Sequence, residues 1–201
     1  MSEPMSYPGF LDGEEQFNRA GDRRHLYVML SSTGTIPSRI IRLVTREPYA
    51  HASVSLDREL TQLYSFARRR KYNWLIAGLV HEDLRKGTFE RFPHAGCIVY
   101  EIDVTEEQYR AACEALAGFN RRFDDWHYSF LSVWLSTFHI YKHFKNSFYC
   151  SEFTAYILEK AGLDLFEGRS SVRIRPADFR KCKGYDRLVY EGEVSSYPYL
   201  V

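Results

Sequence analysis

A helix that opens on Phe148-Tyr149-Cys150-Ser151-Glu152-Phe153 and continues through Thr154-Ala155-Tyr156-Ile157-Leu158-Glu159-Lys160 sets the terms for the rest of the chain. Phe153, Ile157 and Ala161 recur with Cys150 at a helical period, so the face that carries the sulfur must pack against the protein body rather than water. Gly162 follows as a C-terminal cap. Cys150 stands in the first turn, where unpaired N–H groups and the positive end of the helix dipole favour thiolate. It is a candidate nucleophile on condition that the packing layer supplies a base.

Strand patterns provide such a layer. Leu26-Tyr27-Val28-Met29-Leu30 reads as a first strand, and order is expected to begin near His25. Residues 49–56 and 61–67 alternate as strands around the turn-like Asp57-Arg58-Glu59-Leu60 and make an antiparallel hairpin. Gly96-Cys97-Ile98-Val99-Tyr100-Glu101-Ile102 and Leu188-Val189-Tyr190 are two more strands, while residues 74–80 fit a strand or a covering segment equally. Helices are expected after Pro37, with Ile36, Ile40, Ile41 and Val44 on one face, and from the capping box Thr105-Glu106-Glu107-Gln108 to about Asn120. The aromatic stretch Trp126, Tyr128, Phe130, Trp134, Phe138, Tyr141 and Phe144 reads as helical and packed, and Arg175-Pro176-Ala177-Asp178-Phe179 as a short helix start. Residues 1–24 are polar, with Pro and Gly, and suit a loosely draped arm; residues 25–201 then form one domain. The mixture of helices and mainly antiparallel strands argues an α+β fold, with the sheet packed against the cysteine helix.

Charge and composition exclude several function classes. Of 201 residues, 27 are Lys or Arg and 26 Asp or Glu, a formal net charge of +1 that lacks the electrostatic footprint of a nucleic-acid binder. No apolar run reaches membrane-spanning length, and the first residues do not pair a basic segment with an apolar one; a cytoplasmic protein with no stable membrane insertion is expected. Cys97, Cys113, Cys150 and Cys182 form no C-x-x-C pair and have no histidine at zinc-ligand spacing, so free thiols and neither metal nor cofactor are expected. The run Arg68-Arg69-Arg70-Lys71 reads as a solvated edge. Nothing in the pattern fixes an oligomeric state.

A cysteine nucleophile needs a base whose pKa lies near neutrality, and histidine is the usual one. Of the seven histidines, His51 is the one on a strand, with the small Ser53 and Ser55 on the same pleat face, where a helix can approach closely. His25, His81 and His94 fall at element edges, and His127, His139 and His143 in the aromatic stretch. Glu152 is accounted for as a favourable charge in the first turn of a helix.

The pairing of Tyr49-Ala50-His51-Ala52-Ser53-Val54 early with Phe148-Tyr149-Cys150-Ser151-Glu152-Phe153 late resembles the circularly permuted branch of the NlpC-type papain-like cysteine hydrolases, which includes YiiX-like bacterial proteins and, more distantly, lecithin:retinol acyltransferase relatives. In that branch the histidine strand precedes the cysteine helix. The resemblance spans most of residues 25–191 and implies a permuted papain-like fold, Cys150 as nucleophile and His51 as general base. It implies attack on an amide, ester or thioester bond, followed by hydrolysis or transfer, and permits peptide, isopeptide and lipid acyl substrates. The family's third residue usually lies on the next strand, where this chain offers Tyr64 or Ser65 but no His, Glu, Asp or Asn. Hairpin register decides which of the two faces His51. A rival reading is a non-catalytic member that binds a ligand or partner in the same cleft; another is a redox-responsive thiol.

Overall fold

The computed structural model describes residues 23–32, 47–69, 77–137, 140–182, 185 and 187–200. The elements are β1 (Arg24–Ser32), β2 (His51–Ser55), β3 (Leu63–Arg68), β4 (Ala77–Glu82), α1 (Gly87–Arg91), β5 (Gly96–Val104), α2 (Glu106–Arg121), β6 (His127–Tyr128), α3 (Phe130–Thr137), β7 (Ser147–Phe148), α4 (Cys150–Lys160), α5 (Pro176–Lys181) and β8 (Arg187–Glu193). Six strands form one sheet in the order β4-β3-β2-β1-β5-β8, each neighbouring pair antiparallel. The expected N-terminal arm, as far as residue 22, and the expected helix through Ile36, Ile40, Ile41 and Val44 lie outside the described residues.

Both faces of the sheet are covered, and for that reason β1 is apolar along its length: Leu26, Val28 and Leu30 face one core, Tyr27 and Met29 the other. On the first face lie α2 and α4, with Phe153 and Ile157 of α4 against Phe66 and Leu79 of the sheet. Phe66, Phe119, Phe148 and Phe153 meet ring to ring at 4.9–6.3 Å, which locks α4 to both β3 and α2. On the other face α1 and residues 194–200 cover Leu63, Cys97 and Val99. The expected capping box at Thr105 and Gln108 is formed, and α2 runs to Arg121. Helix α4 ends as expected at Gly162, whose φ of +79° is the left-handed conformation glycine adopts without strain.

Register in the β2–β3 hairpin is set by Asp57. Its carboxylate accepts the Gln62 N–H at 2.8 Å, the Thr61 N–H at 3.0 Å and the Thr61 hydroxyl, and the turn closes with Leu60 at a φ of +57°. The result pairs Val54 with Tyr64 and Ser55 with Leu63. Ladder pairing between β2 and β3 is confined to these two rows, so residues 51–53 are parted from β3. The undecided segment 74–80 contributes an ordinary strand, β4, from Ala77 onward.

Two expectations are corrected. The aromatic stretch is not one helix: His127 and Tyr128 form β6, which pairs in parallel with Ser147 and Phe148 of β7, and among its described residues, which leave out 138 and 139, the α-helical ones are 130–137. Arg69 is not a solvated edge residue. Its side chain, 18% exposed, donates from Nε to Leu79 O at 3.0 Å and from Nη2 to Phe123 O, and lies 4.1 Å from the Phe123 ring. A guanidinium with five fixed donors clamps the loop before β6 onto β4, a use of Arg that a charge count cannot reveal.

The same loop crosses Gly78 so closely that a Cβ there would lie 2.3 Å from Trp126 O. Gly78→Ala is therefore expected to destabilise the fold by about 1–3 kcal/mol, whereas Gly118→Ala, inside α2 with only the Arg121 side chain at 3.8 Å, should stabilise it by about 0.5–1 kcal/mol. Urea midpoints of the two variants against wild type check both signs.

Candidate active site

Cys150 enters the structure where β2 and β3 part. Helix α4 points its first turn into that opening, and the Ala52 N–H, which has no ladder partner on β3, bonds to the Cys150 sulfur together with the Ser151 N–H. Ser151 in turn donates its hydroxyl to Ile174 O at 2.8 Å, fastening the first turn to the segment that follows α4. Cys150 is 4% exposed.

The His51 imidazole is hydrogen-bonded to the Cys150 thiol on one side and to a carboxylate on the other. Nε2 lies 2.8 Å from Glu82 Oε1, which leaves Nδ1 for the sulfur. Ser53 donates its hydroxyl to the second carboxylate oxygen at 2.6 Å. His51 and Glu82 side chains are 15% and 11% exposed, so the three groups form one row sheltered from solvent. At the mouth of β2 the Ala50 N–H bonds Ser31 O at 3.1 Å although Ser31 pairs with His51, so two successive residues address one on β1. Such a bulge aims the ring at the strand's end toward α4.

Tyr64 and Ser65, the expected third residues, are corrected by this geometry: the group that meets His51 is Glu82, one strand further on. The Asp57-set register turns Tyr64 to the helix-covered face, where its ring packs on His81 at 5.0 Å and its hydroxyl bonds Asn120. Ser65 lies on the other face. Its buried hydroxyl helps to hold the Glu82 carboxyl down without a hydrogen bond of regular geometry. Small side chains at Ser53 and Ser65 leave room for Glu82 to reach across β3. The strand alternation around residues 77–82 gave no reason to look there, because a glutamate at a strand end ordinarily faces water.

Electrostatics within the row are mutual. Burial alone would push the His51 imidazole down; the charges of Glu82 and of the Cys150 thiolate overcome it and hold the ring well above its ordinary 6.5. Burial likewise works to raise Cys150, and the imidazolium with the two backbone N–H groups brings it below its ordinary value of 9.0. Burial also opposes the Glu82 charge, and His51, Ser53 and Ser65 together lower that carboxyl below 4.5. Cys97 provides the contrast: buried with no such partner, its thiol is pushed up to about 12, and Cys113 to about 11.

Tyr128 completes the surroundings of the sulfur. Its hydroxyl hydrogen-bonds Cys150, and burial with the Cys150 charge keeps it well above 10, so it stays a donor. It is held there by β6: the His127 N–H bonds Asn146 O and the Ser129 N–H bonds Phe148 O, both at 2.9 Å. In the sequence Tyr128 is one aromatic among many in a stretch that suits a core, and nothing local marks it as a neighbour of the thiol. All four cysteines are free.

Among the described residues, His25, Glu101 and Asp103 are the one group with ligand atoms close enough, within 4.8 Å, to hold a metal ion. Glu101 already takes Arg187 at 3.1 Å and the Tyr27 hydroxyl at 3.0 Å, and His25 Nδ1 lies 2.9 Å from an Asp103 oxygen without the geometry of a hydrogen bond. No described helix is long and apolar enough to cross a membrane. Compared with protein-family models, curated proteins and solved structures, the chain has no match in any of the three.

A thiolate held by an imidazolium should alkylate at a pH where an ordinary thiol does not. The rate of Cys150 labelling by iodoacetamide is expected to rise through a midpoint below 9.0. In His51→Ala, where only the Ala52 and Ser151 N–H groups still oppose burial, the midpoint should move above 9.0, toward the range of Cys97. Glu82→Gln lowers the imidazole by removing its counter-charge, so the thiol midpoint should rise there too, by less. A wild-type midpoint no lower than that of His51→Ala would refute the pairing.

Proposed function

We propose that the protein is a cysteine-dependent hydrolase or acyltransferase in which Cys150 is the nucleophile, His51 the general base and acid, and Glu82 the carboxylate that orients and charges the imidazole. The observation that carries this reading is the buried row Cys150, His51, Glu82, with the thiol held below and the imidazole above their ordinary values. Three buried ionisable groups are expensive to desolvate, and an apolar trio would serve stability as well or better. Perturbed groups that match the needs of nucleophilic catalysis are the usual mark of an active site.

In the proposed cycle the Cys150 thiolate attacks an amide, ester or thioester carbonyl. The oxyanion of the tetrahedral intermediate is met by the Cys150 N–H, free of an intrahelical acceptor in the first turn, and by the Tyr128 hydroxyl; each such donor is worth on the order of 3 kcal/mol. The His51 imidazolium gives its Nδ1 proton to the departing amine, alcohol or thiol, leaving a thioester on Cys150. Neutral His51 then takes a proton from water, or from an acceptor nucleophile, as that oxygen or nitrogen attacks the thioester. Collapse of the second intermediate releases the acid or transferred product and restores the thiolate and imidazolium.

The order of parts supports assignment to the permuted papain-like type: a histidine strand, β2, precedes the cysteine helix, α4, in the chain, and the helix packs on an antiparallel sheet. A peptide or lipid acyl group is the proposed substrate. The rival reading, a binding protein on the same scaffold, drew on the lack of an orienting residue beside His51, and Glu82 removes that support.

Intact-mass spectrometry after incubation with p-nitrophenyl esters, peptides and phospholipids tests the proposal. A covalent acyl adduct is expected on wild type and none on Cys150→Ala. Glu82→Gln should acylate more slowly by a factor on the order of 10². An absence of any Cys150-dependent adduct across the panel would favour the binding protein instead.

A further inference from the structure

The cysteine helix carries an acid, Glu152, that pairs with a histidine from the segment before β7, and the mechanism above leaves both unused. Glu152, two residues after Cys150, is 1% exposed although it is ionisable, and its Oε1 lies 2.7 Å from Nδ1 of His143. Its other oxygen accepts the Tyr149 N–H in a long hydrogen bond of 3.4 Å. Tyr149 is the N-cap of α4 and makes no side-chain cap of its own; its hydroxyl instead donates to Val172 O at 2.7 Å. Burial raises the Glu152 carboxyl, and the His143 contact is the chief influence opposing it. His143 itself is 47% exposed, with its ring edge-on to Phe148 at 5.0 Å. It lines a groove of about 820 Å³ bounded by α2 and by the face of α4 that carries Glu152, Tyr156 and Glu159, away from the face that carries Cys150 and Phe153.

The peptide unit between Tyr149 and Cys150 contains the N–H that the proposed cycle directs at the oxyanion. Its orientation follows from the N-cap residue, and the N-cap N–H is held by Glu152. We propose that His143 and Glu152 are positioning residues for the oxyanion donor: the exposed histidine fixes a buried carboxylate, and the carboxylate fixes the backbone that presents the Cys150 N–H. The inference rests on the reading of Cys150 as nucleophile. It adds a second imidazole–carboxylate pair, on the opposite side of the cysteine helix from His51 and Glu82, that acts on the transition state and not on the thiol. The groove makes this pair reachable from solvent without passing the sulfur.

Two reactions of the same thiol separate this role from others. Acylation by p-nitrophenyl acetate passes through a tetrahedral oxyanion, whereas alkylation by iodoacetamide is a direct displacement that forms none. His143 is nearly half-exposed, so His143→Ala should fold, with the melting temperature checking it. In that variant the p-nitrophenolate burst is expected to slow by about 10–100-fold, the loss typical of a misplaced catalytic group, with KM and the iodoacetamide rate and its pH midpoint unchanged. His143→Gln, whose amide N–H can donate to the same carboxylate, should recover most of the burst rate. Equal burst rates in His143→Ala and wild type would overturn the positioning role alone. Parallel losses in both reactions would overturn it in favour of a structural or thiolate-tuning role. Wild type that gives no Cys150-dependent burst at all overturns the nucleophile reading and this inference with it.

Discussion

A thiol that is 4% exposed can carry a charge only if a cation is enclosed beside it, and an enclosed imidazolium in turn needs a carboxylate. That chain of requirements, from Cys150 to His51 to Glu82, organises the structure. Each member alone would be driven to its neutral form by burial, and each is charged because the next is present. Removing a single partner leaves an uncompensated group in a dry place, which is why the three behave as a unit.

Much of the surrounding architecture meets the geometric demands of that row. The sheet opens between β2 and β3 after only two paired rows, giving the helix terminus a place to insert and freeing the Ala52 N–H for the sulfur. Serines stand at positions 53 and 65 where larger side chains would block Glu82 from reaching across β3. Gly78 and the Arg69 clamp let the loop before β6 press against β4, and that loop delivers Tyr128 to the thiol. The ring cluster of Phe66, Phe119, Phe148 and Phe153 holds α4 against strand and helix alike, so the position of Cys150 is fixed by packing rather than by a flexible loop. The two faces of α4 thus have separate duties: one closes the core and the row of charges, the other exposes Glu152 to His143.

Periodic and local signals carried well. The strands around 26–30, 51–55, 63–68 and 96–102, the Thr105 capping box and the Gly162 helix end are all legible because each depends on neighbours within a few residues. The two-residue strand at His127 and Tyr128 was not legible. Its pairing with Ser147 and Phe148 is made across about twenty residues, while its composition suits a helix equally. The Arg69 clamp failed to show for the same reason, since an arginine in a basic run reveals nothing of the carbonyls it will find.

By itself the sequence determined the type and period of most elements, the mixture of helices and antiparallel strands, and the thiol at a helix start with a histidine strand ahead of it. Short-range sterics, capping and hydrophobic period suffice for these. Only the tertiary structure decided what stands beside His51. Tyr64 and Ser65 were adjacent in strand order, but alternation and the Asp57 turn send Tyr64 to the far face, and a glutamate at the end of β4 reaches over Ser65 to the ring. Side-chain reach across a twisted sheet depends on register, on the size of the residues passed over and on which strand parts from its neighbour. These are properties of the assembled sheet and not of any stretch of the chain.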